Sequence, residues 1–469
     1  MTPYLLFATK TDYISIIYVC QVFQLMIFTF FTNNVIMGFS WKRMFNSKVK
    51  GNKSRVILHC DLNNFFASVA MKQNPELRGK FIAVCGNPSL RKGIVLAKSE
   101  NAKRMGVKTG MPIWEAQRLC PQIVIVPTDY TAYENYSKKV QEIYYRFTNQ
   151  VESFGIDECW LDVTHSQKLF GDGMQIANKI RCAVKDELGL TISVGVSFNK
   201  TYAKLGSDLA APDAVVAITL DNYQKLIYPL PLSNLLFVGK KTQARLQKLN
   251  VNTIGDLAAY DVNILKSFLG VNAEKLIAEA RGEDDSEVND YLFHELPRSV
   301  GNGTTVPFDL TSKKEVEAVV YLLAEKIAFR LRAQNLQGYT IHLSIKDTNL
   351  MWCGAQTSLA YPTHAVLTIR RTAMEIFEQL WLQKPFRPVR ALRVAVANLT
   401  TVANVQTNLL DDINDEMKNQ ALDNVFDKIR RKYGTQQIML GGTADSYQKL
   451  VFDLHLYDCD NLETLTIDE

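Results

Sequence analysis

The stretch Arg55–Ala70, RVILHCDLNNFFASVA, decides how the rest of the chain is read. Arg55 to Cys60 form a short apolar run rich in β-formers that stops at Asp61, and beyond it Phe65, Val69 and Met71 recur at helical spacing. The reading is a strand feeding a helix, with an acid at the join. A second strand-like unit, Val151–Val163 (VESFGIDECWLDV), alternates around Asp157 and Glu158. A third, Leu190–Val196 (LTISVGV), runs into a helix over Thr201–Leu209, and Met174–Leu188 between them has a helical period. Strands and helices in this order predict a split βαβ sheet of the ferredoxin-like kind.

Working outward, residues 73–128 read as an insertion into that sheet, with a short strand at Phe81–Cys85 and helices. Leu232–Arg281 is helical and turn-rich. Arg298–Asn398 repeats a β-α-β-β-α-β order: a strand in GNGTTVPF, a helix over Lys313–Arg332, strands at Tyr339–Ile345 and Met351–Gln356, a helix over Thr363–Leu380, and a strand at Ala391–Ala397. That makes it a separate α+β module. The tail closes with a helix over Ile413–Lys432.

Composition agrees with several folded domains. At 469 residues the chain exceeds the roughly 250 to 300 at which a single core stops growing. With 47% hydrophobic and 22% charged residues, no low-complexity tract and no repeat of fixed period, the composition is that of a folded soluble protein and disorder is not the default. The net charge of +5 permits nucleic-acid binding without demanding it. The eight cysteines lie far apart with no C-x-x-C, against a structural zinc site or a disulfide framework and in favour of a reducing cytoplasm.

The N-terminus is different in kind. Tyr13–Phe39 is long and apolar, is followed by Lys42, Arg43, Lys48 and Lys50, and is interrupted by Gln21, Gln24, Asn33 and Asn34. Three readings stay open for residues 1–54: a start codon assigned upstream of the true one near Met37 or Met44, a membrane anchor through residues 13–39, and a docked helix. The first is preferred, with the protein in the cytoplasm at the nucleoid.

An acid after a strand, or an Asp-Glu pair, is by itself more often a solvated turn than a catalyst. Acids from neighbouring strands of one sheet are more telling, because nucleotidyl transfer needs divalent cations held by converging carboxylates, one activating a hydroxyl and one holding the leaving pyrophosphate. Asp61, Asp157 and Glu158 are the candidates. The start of the helix after Asp61 also suits a triphosphate, since unpaired N–H groups and the helix dipole favour anions there.

In order and spacing, DLNNFFASVA (Asp61–Ala70), GIDECWLDV (Gly155–Val163) and VGVSFNKTYAKLGSDLAAP (Val194–Pro212) resemble the three polymerase motifs of the Y-family translesion DNA polymerases of the UmuC/DinB type, and in particular Firmicute UmuC-like repair polymerases. The resemblance covers residues 55–435. Gly155 departs from the family's usual Ser in the second motif.

The resemblance implies a right-hand polymerase in an α+β multidomain chain. Its palm would be ferredoxin-like (55–72 and 129–218), with small fingers (73–128), a helical thumb (219–290), an α+β little finger (297–398) and a tail (399–469). It implies error-prone, SOS-type synthesis past damaged bases by a monomer acting on primer-template DNA with deoxynucleoside triphosphates and two Mg²⁺ ions. Asp61 and Asp157 would bridge both metals, Glu158 would hold the catalytic one, and the Leu62 carbonyl would complete the other. Phe66 would be the steric gate against the sugar. The amides of Asn64, Phe65 and Phe66, with Lys103 and Lys204, would bind the triphosphate.

Lys103 stands where many members carry Arg, and it offers a point charge rather than a bidentate fork. Glu100 stands where the DinB branch has Tyr. Val238-Gly239-Lys240-Lys241 lacks one glycine of a helix-hairpin-helix, so a plain connector stays open there. Arg298, Lys346, Arg387, Arg390 and Arg393 would meet DNA phosphates, which position DNA without reading it. Without the resemblance they read as a solvated face. Gln406, Leu409 and Leu410 in QTNLL resemble the bacterial clamp-binding motif, implying the sliding clamp as a partner; the alternative is that the leucines begin the tail helix's apolar face. Two rivals remain, a nucleotide cyclase sharing palm and carboxylates, and a catalytically idle DNA-binding protein.

Overall fold

The computed structural model describes residues 55–87, 93–291, 296–382, 387–402 and 414–433. The apolar N-terminal segment and the pentamer Gln406–Leu410 lie outside them. Among the described residues no helix is long and apolar enough to cross a membrane, and Cys60, Cys85, Cys120, Cys159, Cys182 and Cys353 are free thiols.

The first module follows the chain from β1 (Ile57–Leu62) into α1 (Phe65–Gln73). An insertion carries β2 (Ile82–Cys85), β3 (Val95–Lys98), α2 (Glu100–Arg104), α3 (Ile113–Leu119) and β4 (Val124–Pro127). Then come α4 (Tyr130–Tyr145), β5 (Val151–Ser153), β6 (Glu158–Asp162), α5 (Gly173–Ala183), β7 (Ile192–Ser197), α6 (Lys200–Leu209) and β8 (Val215–Ala217). The sheet order is β5-β6-β1-β7-β8, with β1 antiparallel to both neighbours. This is the ferredoxin-like order extended by one edge strand.

Three expectations need correcting. Val151–Val163 is a hairpin rather than one alternating strand: Phe154 N–H donates to the Glu158 carbonyl, and Ser153 hydroxyl to the Gly155 carbonyl, turning the chain just before Asp157. The insertion holds a three-stranded sheet, β3-β2-β4, where one strand was expected. Helix α4 was not expected, because much of its buried face is tyrosine (Tyr133, Tyr144) rather than aliphatic.

Burial explains the architecture. β1 is buried at every position but Asp61, and β7 throughout. At Gly195 any Cβ would collide with the backbone of Ala203 in α6, so that helix seats directly on the sheet. The insertion has a small core of its own around Ala83, Val95, Ala102 and Ala116.

Helices α7 (Tyr223–Ile227), α8 (Lys240–Gln247), α9 (Ile254–Ala259), α10 (Val262–Leu269) and α11 (Asn272–Arg281) form a further core that borrows Tyr202, Leu205 and Ile218 from the sheet module. The returning strap after α11 is tied back to that module. Asn199 donates to the Gly282 carbonyl at 2.9 Å, and the Asp284 carboxylate accepts from the Thr201 N–H and hydroxyl.

The last module runs β9 (Ser299–Leu310), α12 (Lys313–Ala333), β10 (Leu336–Asp347), β11 (Trp352–Thr363), α13 (Val366–Leu382) and β12 (Val389–Thr401). The order is β11-β10-β12-β9, antiparallel throughout. Ile341, Leu343, Ile345, Leu392, Val394 and Val396 form the core with both helices, and strict alternation leaves β11 exposed at every second residue. Helix α14 (Asn414–Tyr433) docks on this module through buried charge: Arg332 grips Asp427 with two hydrogen bonds (2.7 and 2.9 Å) and Asp423 at 3.1 Å, and Arg430 meets Glu325 at 2.7 Å.

Candidate active site

Strand register, rather than proximity in sequence, assembles the acids. Asp61 at the end of β1 lies directly across from Glu158 at the start of β6, and the Leu62 N–H donates to the Asp157 carbonyl at 3.0 Å, which pins the hairpin turn against β1. Three half-buried carboxylates thus share one end of the sheet.

Their electrostatics diverge. Burial, then the Glu158 and Asp157 charges, pushes Asp61 up to about 7 from an ordinary 3.8. Asp157 is raised too, by burial and by Glu158. Glu158 goes the other way: burial opposes its charge, but His59 and Lys204 beside it more than compensate and bring it down to about 2. The Lys204 ammonium sits 2.6 Å from Glu158 Oε2. Like charges held this close call for a counter-cation, and a dication is the strongest.

As they stand, however, no three acidic, imidazole or thiol groups among the described residues converge tightly enough to hold an ion. Glu158 is engaged by Lys204, while the chemistry of the oxygen donors suits a hard cation such as Mg²⁺.

His59, which the sequence did not single out, lies fully buried in β1 behind this site. Its Nδ1 is 2.7 Å from Ser207 Oγ, and that hydroxyl donates to the Lys204 carbonyl at 2.7 Å. A hydroxyl has one proton to give, so Ser207 accepts from Nδ1–H. The other nitrogen, Nε2, then faces Glu158 Oε2 at 3.4 Å without completing a hydrogen bond. Its ring lies edge-on to Trp160, at 5.2 Å between centroids. A histidine inside an apolar strand carries no sequence signal that separates it from an ordinary core residue.

Asn64 precedes α1 with φ 50°, and no side chain caps the helix. An uncapped helix start leaves N–H groups that could take an anion, and with three acids beside it such an anion would need a cation to accompany it. Phe66 lies flat on Tyr133, with ring centroids 4.0 Å apart and planes within 7°, and Tyr130 closes on it edge-first. The three rings make a rigid wall at the helix start. From the insertion, the Glu100 carboxylate accepts from the Asn64 side chain (Nδ2) at 3.4 Å, and Lys103 lies 3.8 Å from Glu100. Lys103 and Glu100 are therefore brought to the start of α1 together, and the acid offsets the lysine.

The basic residues of the last module are less alike. Arg298 and Arg393 are exposed. Lys346 lies over the Trp352 ring at 5.8 Å. Arg387 pairs with Asp347 at 3.4 Å, and Arg390 is held by both oxygens of Asp309 at 3.1 and 3.0 Å. The last two are occupied within the protein.

Comparison with known proteins bears on this arrangement. Residues 60–208 match the model of the impB/mucB/samB family, and residues 297–409 that of its C-terminal domain. DNA polymerase IV of Acetivibrio thermocellus is 45% identical over 82% of this chain and 97% of its own. DNA polymerase IV 1 of Bacillus subtilis is 33% identical over 83% of this chain and 94% of its own. Among solved structures, a Y-family polymerase chimera of Dbh and Dpo4 superposes with a TM-score of 0.66 over 74% of this chain and 99% of the chimera, at 24% identity, which speaks for the fold. With both domain models matched and relatives this similar along nearly their full length, the chain belongs to the Y family of DNA polymerases, of the DinB/UmuC type.

Proposed function

We propose that this Y-family DNA-directed DNA polymerase carries out error-prone, SOS-type translesion synthesis with two Mg²⁺ ions at Asp61, Asp157, Glu158 and the Leu62 carbonyl. The observation that carries the reading is the register pairing of Asp61 with Glu158, beside Asp157, at an uncapped helix start. When bound, the metals supply charge neutralisation at the primer hydroxyl and at the triphosphate. The chain's own residues do the rest. The start of α1 and Lys204 bind phosphates, and the Phe66–Tyr133 wall presses on the sugar edge where a 2′ hydroxyl would sit. Lys103 adds charge at the triphosphate, diminished by Glu100.

The modules take the roles of palm, fingers, thumb and little finger with the boundaries expected from the sequence. The open face of the last sheet, bearing Arg393 with Arg298 at its edge, lies along duplex DNA. The segment Gln406–Leu410 binds the sliding clamp. The DNA polymerase IV relatives and a ternary complex of Dbh among the structural neighbours support binding of primer-template and nucleotide.

Primer extension by the full chain on matched templates with and without one abasic site tests the reading, with divalent cations removed by chelation and Mg²⁺ restored. Extension past the lesion that depends on Mg²⁺ is expected. Metal-independent extension, or arrest at the lesion under conditions that copy the intact template, overturns it.

A further inference from the structure

Lys204 and Glu158 stand 2.6 Å apart, with side chains only 14% and 23% exposed. Each has a second engagement to meet during the reaction proposed above, Lys204 with a triphosphate and Glu158 with a divalent cation. One ammonium cannot hold the carboxylate and a phosphate equally well. We propose that Lys204 serves as a stand-in cation: in the nucleotide-free enzyme it holds the Glu158 carboxylate away from the metal position, and the arriving triphosphate draws Lys204 off and hands Glu158 to the metal. Nucleotide and metal binding are thereby coupled through one ion pair. The inference rests on the metal reading of the site.

The geometry of the pair supports it. The Lys204 carbonyl accepts from Ser207, which is backed by the buried His59, so the root of the side chain is anchored, whereas the ammonium at its far end reaches Glu158 at 2.6 Å and lies over the Phe154 ring at 5.4 Å. Asp61 lies directly across from Glu158 in the register, with Asp157 beside it, so a Glu158 released by Lys204 stands among the carboxylates that would hold the metal.

The pair also steadies the carboxylate cluster before nucleotide arrives. With Lys204 in place, the third carboxylate is neutralised without a metal. Coupling of this kind is reciprocal: whatever the nucleotide does to metal affinity, the metal does to nucleotide affinity.

The test is Mn²⁺ binding, followed by the electron paramagnetic resonance signal of the free ion, on the full chain with primer-template and no nucleotide. Lys204→Met should tighten Mn²⁺ binding on the order of tenfold, because Glu158 is released. Lys204→Arg, which keeps a cation on Glu158, should remain close to wild type. In a Glu158→Gln background, Lys204→Met should change Mn²⁺ affinity little, since the substitution acts through Glu158.

Unchanged affinity in Lys204→Met overturns the proposal, as does an equal gain in both backgrounds, which would mean that Lys204 acts only as bulk positive charge. Thermal midpoints of the variants show whether each has folded. If wild type and every folded variant fail to bind Mn²⁺, the metal reading of the site falls and this inference with it. That outcome is distinct from tight binding that ignores Lys204.

Discussion

Two modules of this chain share the element order β-α-β-β-α-β and do opposite things with it. In the first, the initial strand is central, the order is β5-β6-β1-β7 before the added edge strand, and β1 and β7 are buried almost end to end. In the last, the initial strand is an edge, the order is β11-β10-β12-β9, and alternation leaves one face of β11 exposed along its length. A centrally placed strand with both faces covered can present polar chemistry only at its tip, and there Asp61 meets Glu158. A sheet with one bare face can present chemistry along its whole area but concentrates none of it. The difference teaches that element order predicts a scaffold, while strand order and burial decide whether the scaffold makes a point site or a broad surface.

The contrast can be broken most directly at the tip of β1. Asp61→Ala or Glu158→Ala should cut primer extension on the order of 10³-fold or more while leaving DNA binding nearly intact, measured by single-turnover extension and by fluorescence anisotropy. Extension within tenfold of wild type would remove the point site from the first module.

Next in size, Phe66→Ala should raise the ribonucleotide-to-deoxynucleotide incorporation ratio on the order of 10- to 100-fold, since removing a steric barrier relaxes specificity more than it slows the favoured substrate. The Tyr133 ring stacked on Phe66 makes the wall stiff, so Tyr133→Ala should move the ratio in the same direction by less.

For the broad surface the expected effects are smaller and additive. Arg393→Ala should weaken DNA binding a few-fold and reduce the salt slope by about 1, whatever the sequence of the DNA. Arg390→Ala should change the slope less, because both oxygens of Asp309 already hold that guanidinium. Equal slopes for the two variants would show that the ion pair opens on DNA.

The smallest effect sharpens the comparison from the side of stability. Asp61 is raised to about 7 in the fold, so the folded chain holds this proton more tightly than the unfolded one. The associated stability is full below the ordinary value of 3.8 and is lost as pH rises through about 7. Asp61→Asn should therefore raise the thermal midpoint of the metal-free protein by roughly a few degrees above about pH 7, and hardly at all near the ordinary aspartate value. A uniform gain at every pH would assign the effect to packing.

Much of this was legible beforehand, for identifiable reasons. A short apolar run of β-formers stopping at Asp61 marked β1, an alternating run around Asp157 and Glu158 marked the other carboxylates, and the β-α-β-β-α-β order of residues 298–398 appeared directly in the hydrophobic pattern. The turn at Phe154–Asp157 was hidden because alternation continues across it and only Gly155 punctuates it. The α4 helix was hidden because tyrosines supply much of its buried face. His59 and the Lys204–Glu158 pair were out of reach, since each depends on strands and helices distant in sequence coming into register. Charge type alone marked Arg390 and Arg393 as equals; Asp309 made them unequal.

The buried charges that seat α14 change what a pull on that helix would do. Arg332 holds Asp423 and Asp427, and Arg430 holds Glu325. Separating either set would strand an unpaired ion in the interior, so the joint yields late under load. A force applied to α14 would be carried by the whole last sheet before the helix came away.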